Sequence, residues 1–168
     1  KESSRQAIAE LHTLGVASVM LTGDNFATAL AIAKQAGIDD ARGNLLPEDK
    51  LAAIEELQKQ YGYVAMTGDG INDAPALARS NIGFAMGGAG TDTAMEAADV
   101  VIMNDDLRRI PEAIRLSRKT QAILWQNIAM ALGIKSVFLV AAIAGDASMW
   151  MAVFADMGAS LLVVFNGL

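Results

Sequence analysis

An α/β fold is expected for the amino-terminal part of the chain, a parallel sheet with helices on its faces, followed by a two-helix transmembrane hairpin. Three observations predict this. Helix-period and strand-like segments alternate up to about residue 107, the pattern of a parallel sheet flanked by helices. Charges recur every few residues from Lys1 to Lys119, yet from Thr120 to Leu168 only Lys135, Asp146 and Asp156 are charged. Within that tail, Ala122–Gly145 and Ala147–Leu168 are apolar stretches, each longer than the roughly 20 residues a helix needs to cross a bilayer. The expected domains are residues 1–117 and 118–168.

The elements follow from local signals. Ala7, Ile8, Leu11 and Leu14 have helical spacing, and Gly15 ends that run. Val16 to Leu21 reads as a short buried strand, and Asn25 to Ala36 as a helix stopped by Gly37. Pro47 opens a helix with Leu51, Ile54 and Leu57 on one face, ending near Tyr61-Gly62. Tyr63 to Met66 is expected as a strand and Asp73 to Ala78 as a short helix. Asn81 to Met86 and Asp99 to Met103 supply further strands around a helix at Thr91 to Ala97. A last helix begins near Leu107 and runs on into the first apolar span.

Composition excludes several function classes. The chain has no cysteine, so disulfides and thiolate metal sites are ruled out within it. A net charge of -6 and the lack of a basic stripe with aromatics argue against nucleic acid. The amino terminus, Lys1-Glu2-Ser3-Ser4, shows no signal-peptide pattern. Basic residues gather at Arg108, Arg109, Arg115, Arg118 and Lys119, just before the first span. The positive-inside rule then puts the polar part in the cytoplasm and the hairpin turn, near Asp146, outside.

Three segments fall where a parallel sheet gathers its ligands, at the carboxyl ends of strands. They are Thr22-Gly23-Asp24-Asn25, Pro47-Glu48-Asp49-Lys50 and Gly68-Asp69-Gly70-Ile71-Asn72-Asp73. A hydroxyl and backbone amides at a helix start suit phosphate oxygens, which fits Thr22 and Gly23. Lys50 offers a compact positive charge against a transferring phosphoryl group. Asp69 and Asp73, four residues apart in a glycine-lined loop, suit Mg²⁺, which needs few protein ligands. Alone, Thr22–Asn25 also reads as a turn and cap, and Pro47–Lys50 as an ordinary helix start.

TGDN at Thr22–Asn25, LLPEDK at Leu45–Lys50 and MTGDGINDAPALA at Met66–Ala78 closely resemble the phosphorylation domain of P-type ATPases. That domain is of the haloacid-dehalogenase superfamily. The resemblance continues through AMGGAGTDTAMEAADVVIM and DDLRRIPEAIRLSRKT, so it covers essentially the whole chain. It implies that Asp69 coordinates a catalytic Mg²⁺ and that Asn72 and Asp73 support phosphate and metal. It further implies that Thr22 and Gly23 contact the phosphoryl group, Lys50 neutralises it and Asp24 orients the surrounding groups. The family's nucleophile is the aspartate of a DKTGT string, which this sequence lacks, as it lacks a nucleotide-binding and an actuator domain. The chain alone is therefore expected not to hydrolyse ATP, and to be part of a longer protein that does.

The spans carry a signal about cargo. Lys135 lies 11 residues before Asp146 and Asp156 lies 10 after it, so both sit roughly 15 Å below the turn at about 1.5 Å per residue. Ionisable residues at that depth are costly and point to function. The pair reads as a structural ion pair that makes insertion tolerable. Compatibly, Asp156 reads as an oxygen ligand for a divalent cation, with Lys135 as built-in counter-charge that neutralises it when the site empties. With a lysine in the first helix and Asp156-Met157-Gly158 in the other, the hairpin resembles that of the zinc, cadmium and lead exporters of the heavy-metal subgroup. Met130, Met149, Met151 and Met157 are expected to pack or face lipid. His12 is expected as a surface residue and Gly87 to Gly90 as a turn. Two alternatives stand beside the inner-membrane exporter: a membrane-anchored phosphatase of the same superfamily, and a non-enzymatic fragment that regulates a pump.

Overall fold

The computed structural model describes residues 2–88, 92–145 and 148–167. Helix α1 (Glu2–Thr13) leads into β1 (Val19–Leu21), α2 (Phe26–Ala36), β2 (Asp40–Arg42) and α3 (Pro47–Tyr61). Strand β3 (Ala65–Gly68) follows, then α4 (Ala74–Arg79), β4 (Ile82–Met86), α5 (Asp92–Ala97) and β5 (Val100–Ile102). Helix α6 (Arg109–Ile143) and helix α7 (Met149–Gly167) complete the described chain.

Every strand pairing is parallel, as the helix–strand alternation requires. The expected parallel arrangement with flanking helices is present, and its strands fall into two ladders, β1–β2 and β3–β4–β5, with none joining them among the described residues. Hydrophobic alternation shows that strands exist but not which edges meet. Two strand boundaries also move. Val16 to Ser18 stay outside β1, whose residues are only half-buried. Tyr63 is 86% exposed and lies before β3, which instead runs on to Gly68. Strand β2 carries no strand signal in the sequence, because Asp40-Ala41-Arg42 is polar at both ends and buries only Ala41.

The larger core gathers Ile54, Met66, Ala76, Leu77, Ala85 and Ala94, where α3, α4 and α5 pack on β3 and β4. Leu21 of β1 packs against this cluster, so the two sheets share apolar contact without a hydrogen-bonded ladder. A smaller core of Ala29, Ala33 and Ala41 joins α2 to β2. Asn25 caps α2 by accepting from the Thr28 N–H at 2.8 Å, and Gly37 ends it in the left-handed region at φ 78°.

The chain divides into two compact units, Lys1–Glu112 and Ala113–Leu168, with the division inside α6. In the second unit the apolar side chains face outward. Trp125, Leu132, Val137, Phe154 and Phe165 are each more than 60% exposed, whereas Ala159 is buried. Such an apolar surface needs lipid or protein around it. Helix α6 is long and apolar enough to cross a membrane; in α7 the apolar stretch is the shorter Val153–Gly167. The expected turn at Asp146, Ala89 and Gly90 of the glycine-rich turn, Thr91 and the Met149 side chain lie outside the described residues.

Candidate phosphoryl-transfer site and a charged pair in the hairpin

The turn after β1 is built from its own backbone. The Thr22 hydroxyl accepts from the Asp24 N–H at 3.1 Å, a side-chain turn that leaves the hydroxyl hydrogen to donate elsewhere. Thr22 N donates to the Arg42 carbonyl at 3.0 Å, continuing the β1–β2 register past the strands. The Thr22 carbonyl accepts from Leu45 N at 3.1 Å, and the Asp24 carbonyl from Asn44 N at 2.6 Å. Gly43 permits this approach, since a Cβ there would stand 2.6 Å from the Phe26 Cα. The loop before α3 is thereby bound to the Thr22–Asn25 turn.

That loop delivers Lys50. Asp49 accepts from the Leu46 N–H at 2.9 Å, fixing the first turn of α3 behind Pro47. Arg42 of β2 donates to both carboxylate oxygens of Glu56 at 2.9 and 3.2 Å, tying the body of α3 to the first sheet. The hydrogen bonds from Arg42 hold the Glu56 carboxyl below its usual range, and the same contact raises Arg42. With α3 held, the Lys50 ammonium reaches Asp73 Oδ1 at 2.7 Å, both side chains being 15% exposed. The structure thus links Thr22 to Leu45, the Leu45–Leu46 loop to α3, and Lys50 to Asp73, joining all three motif segments.

Asp73 closes the loop after β3. Residues Ile71–Asp73 form a single 3₁₀ turn before α4, so the helix expected at Asp73 to Ala78 starts one residue later. A Cβ on Gly68 would lie 2.7 Å from the Asp73 Cβ, so only glycine lets the strand end pass beneath this carboxylate. Asp69 and Asn72 are exposed at the rim of the loop, and Gly23 and Asp24 are exposed on the facing segment of the same chain of contacts. Among the described residues no three His, Cys, Asp or Glu side chains gather as a metal cluster. A cation at Asp69 and Asp73 would take the rest of its ligands from phosphate and water, which suits Mg²⁺. One Asp73 oxygen is already engaged by Lys50, leaving Oδ2 towards the Gly68–Gly70 backbone.

The geometry predicts the effect of one small substitution. Gly68→Ala is expected to displace Asp73 from Lys50 and to destabilise the fold by about 1–3 kcal/mol, the usual cost of forcing an extra methyl group into a packed position. An unfolding midpoint equal to that of the unaltered protein would show that Asp73 is not held by this contact.

Two features escaped sequence reasoning. His12 is on the surface, but it pairs with Asp39 at 2.8 Å. The same Asp39 oxygen accepts from the Ser18 N–H at 2.7 Å and from its hydroxyl at 2.8 Å. The Ser18 backbone and hydroxyl bonds, followed by His12, hold the Asp39 carboxyl below its ordinary value. Asp39 and Ser18 approach the same imidazole nitrogen, so this is a clasp between α1 and the strands, not a relay for nucleophilic attack. The basic run before the span is engaged as well: Arg108 pairs with Asp106 at 2.6 Å and Arg109 with Glu112 at 2.7 Å. The Asp39 clasp carries no local signal, because its members lie 21 and 27 residues away, whereas the arginine pairs are close in sequence.

In the hairpin, Lys135 Nζ stands 3.3 Å from Asp156 Oδ1. Both side chains point outward, 63% and 67% exposed. The Ser160 hydroxyl donates to the Asp156 carbonyl at 2.9 Å, a bond to the preceding turn that bends helices locally. Asn166 Nδ2 donates to Asn127 Oδ1 at 2.9 Å and Gln126 Oε1 at 3.3 Å, a second polar link between α6 and α7. Three carboxamides in otherwise apolar spans were the signal for it. Two clefts along α1, one lined by Glu10, Asp106 and Arg109 and the other by His12 and Lys34, contain none of the predicted site residues.

Comparison with known proteins adds to this geometry. The haloacid dehalogenase-like hydrolase family matches over residues 1–81. A cadmium-transporting ATPase of Staphylococcus aureus is 52% identical over 169 residues, taking in 100% of this chain and 23% of its own length. A zinc/cadmium/lead-transporting P-type ATPase of Escherichia coli K12 is 50% identical over 162 residues, 96% of this chain and 22% of its own. The crystal structure of a zinc-transporting PIB-type ATPase in the E2.Pi state superimposes with a TM-score of 0.90 at 48% identity. It covers 97% of this chain and 26% of that one. The chain thus spans about a quarter of the length of the relatives it matches.

Proposed function

We propose that this chain, which belongs to the heavy-metal-transporting P-type ATPases, is part of an ATP-driven exporter of Zn²⁺, Cd²⁺ or Pb²⁺. The observation that carries the reading is the Lys135–Asp156 pair at 3.3 Å, in the same chain as the Lys50–Asp73 pair at 2.7 Å. A phosphatase needs the second pair and has no use for the first.

In this reading the soluble unit handles the phosphoryl group. Thr22 and Gly23 hydrogen-bond its oxygens from the β1 end, and Lys50 opposes the charge that develops as it transfers. Asp69 and Asp73 would hold Mg²⁺, which when bound would supply positive charge against the phosphoryl oxygens. Asp73 also keeps Lys50 extended, Asn72 donates to phosphate and Asp24 steadies the turn beneath it. The nucleophile is an aspartate carried by another part of the protein, where phosphoryl transfer gives an aspartyl phosphate that water later hydrolyses. Strands β1 and β3 each end a ladder although they share a core, which supports a further parallel strand that brings this aspartate to Thr22 and Lys50. ATP binds largely through the same missing portion.

The hairpin handles the ion. Asp156 offers oxygen to a divalent cation midway through the bilayer, and Lys135 takes its place once the cation leaves, which favours release over rebinding. The cytoplasmic side carries the soluble unit and the basic residues that precede the span; the protein crosses the inner membrane several times. Residues 1–117 serve the phosphoryl chemistry and residues 118–168 the ion path.

The test uses the complete protein, reconstituted in vesicles. ATP hydrolysis stimulated by Zn²⁺, Cd²⁺ or Pb²⁺ is expected, and replacing both Lys135 and Asp156 by leucine is expected to remove the stimulation. Unchanged hydrolysis in the double variant would favour the membrane-anchored phosphatase, which uses the hairpin only as an anchor.

A further inference from the structure

An antiparallel helix pair in lipid has little to fix its register. Apolar contact is non-directional, and lipid tails satisfy outward leucines and valines as well as a neighbouring helix does. In the apolar part of α6, Ile123, Asn127, Met130, Ala131, Ile134, Phe138 and Ala141 are half-buried, at alternating short spacings that trace one face. On α7, Ala155, Gly158, Ala159 and Val163 form the corresponding face. These α7 side chains are small or simple, so a slip along the pair would cost them little.

Two polar links break this indifference. Lys135 meets Asp156, and the Asn166 carboxamide nitrogen donates to Asn127 at 2.9 Å and to Gln126 at 3.3 Å. Asn127 lies 8 residues before Lys135, and Asn166 lies 10 after Asp156. At about 1.5 Å per residue the links are some 12 Å apart on one helix and 15 Å on the other, so both belong to one antiparallel register. A polar side chain on an otherwise apolar helix face sets register in the same way that a single buried asparagine does in a coiled coil.

We propose that Asn166 is a positioning residue, whose bonds to Gln126 and Asn127 latch the hairpin in the register that sets Lys135 against Asp156. The inference rests on the exporter reading, since it takes Lys135 as the counter-charge that empties the ion site. A loosened latch lets Lys135 drift from Asp156. The empty site is then less well neutralised, so Zn²⁺ enters more readily and leaves more slowly.

The experiment is Zn²⁺-stimulated ATP hydrolysis by the complete protein. Asn166→Leu, which keeps the bulk and removes the donor, is expected to lower both the half-saturating Zn²⁺ and the maximal rate about threefold or more. Asn166→Gln, which keeps the carboxamide, is expected to stay within about twofold. In a Lys135→Met background Asn166→Leu is expected to change nothing further, because the residue acts through Lys135. If Asn166→Leu fails to fold, Asn127→Leu removes the shorter bond and is expected to move both parameters in the same direction. A half-saturating Zn²⁺ that stays put or rises, or an equal shift without Lys135, overturns the latch. An unaltered protein that no metal stimulates would instead sink the exporter reading, and the latch's role with it.

Discussion

Lys50→Met is expected to reduce ATP turnover of the complete protein by about 10²- to 10³-fold, the usual effect of removing one group aimed at developing charge. The ammonium lies 2.7 Å from Asp73 Oδ1 with only 15% of either side chain exposed. Its removal therefore does two things. In the proposed exporter phosphoryl transfer loses its opposing charge, and Asp73 is left partly buried without the Lys50 partner, which destabilises the fold as well. Asp73→Asn separates the two effects, since the amide keeps the size and hydrogen-bonding capacity of the carboxyl. Lys50→Met combined with Asp73→Asn is expected to recover thermal stability relative to Lys50→Met, whereas turnover is read in Lys50→Met alone, because Asp73 is itself a proposed Mg²⁺ ligand. Turnover within about threefold of the unaltered protein would remove Lys50 from the phosphoryl site.

The other large effect concerns the ion path. Asp156→Ala is expected to abolish stimulation of ATP hydrolysis by Zn²⁺ while the soluble unit stays folded. The substitution takes away the one carboxylate in the described part of the hairpin and strands the Lys135 charge 3.3 Å from the vacated position. Asp156→Asn keeps the side chain's size and an oxygen but not its charge, so it distinguishes loss of the ligand charge from loss of packing. Both variants are expected to bind Zn²⁺ too weakly for stimulation, because a divalent cation in low dielectric needs a compensating anion. Full stimulation in either variant would take Asp156 out of the ion site.

Much of this was legible in the residues. The alternation of helix and strand, the Pro47 and Asn25 helix starts and the end of α2 at Gly37 are local events, decided by propensity and capping. The approach of Lys135 to Asp156 was also readable, because a hairpin with a known turn converts residue spacing into depth. Other features were not. Thr22, Lys50 and Asp73 come from three segments, and the turn and the loop that carry them are joined through backbone groups of Asn44 and Leu45, which side-chain pattern does not reveal. Strand β2 and the Asp39 clasp depend on partners 21 residues or more away. The Asn166 link needed knowledge of which carboxamides face one another.

Taken alone, the sequence determined which stretches could lie in water or in lipid, where the glycine-lined acidic loop falls, and which family the chain joins. These properties are set by composition and short-range pattern, since transfer out of water depends on the residues themselves and backbone conformation on their near neighbours. Tertiary structure alone decided that the strands form two ladders rather than one, that Asp73 gives one oxygen to Lys50, and that Asn166 bridges two residues of the other helix. Each is a choice among partners remote in sequence, and hydrogen bonds and ion pairs make that choice by distance and direction in space.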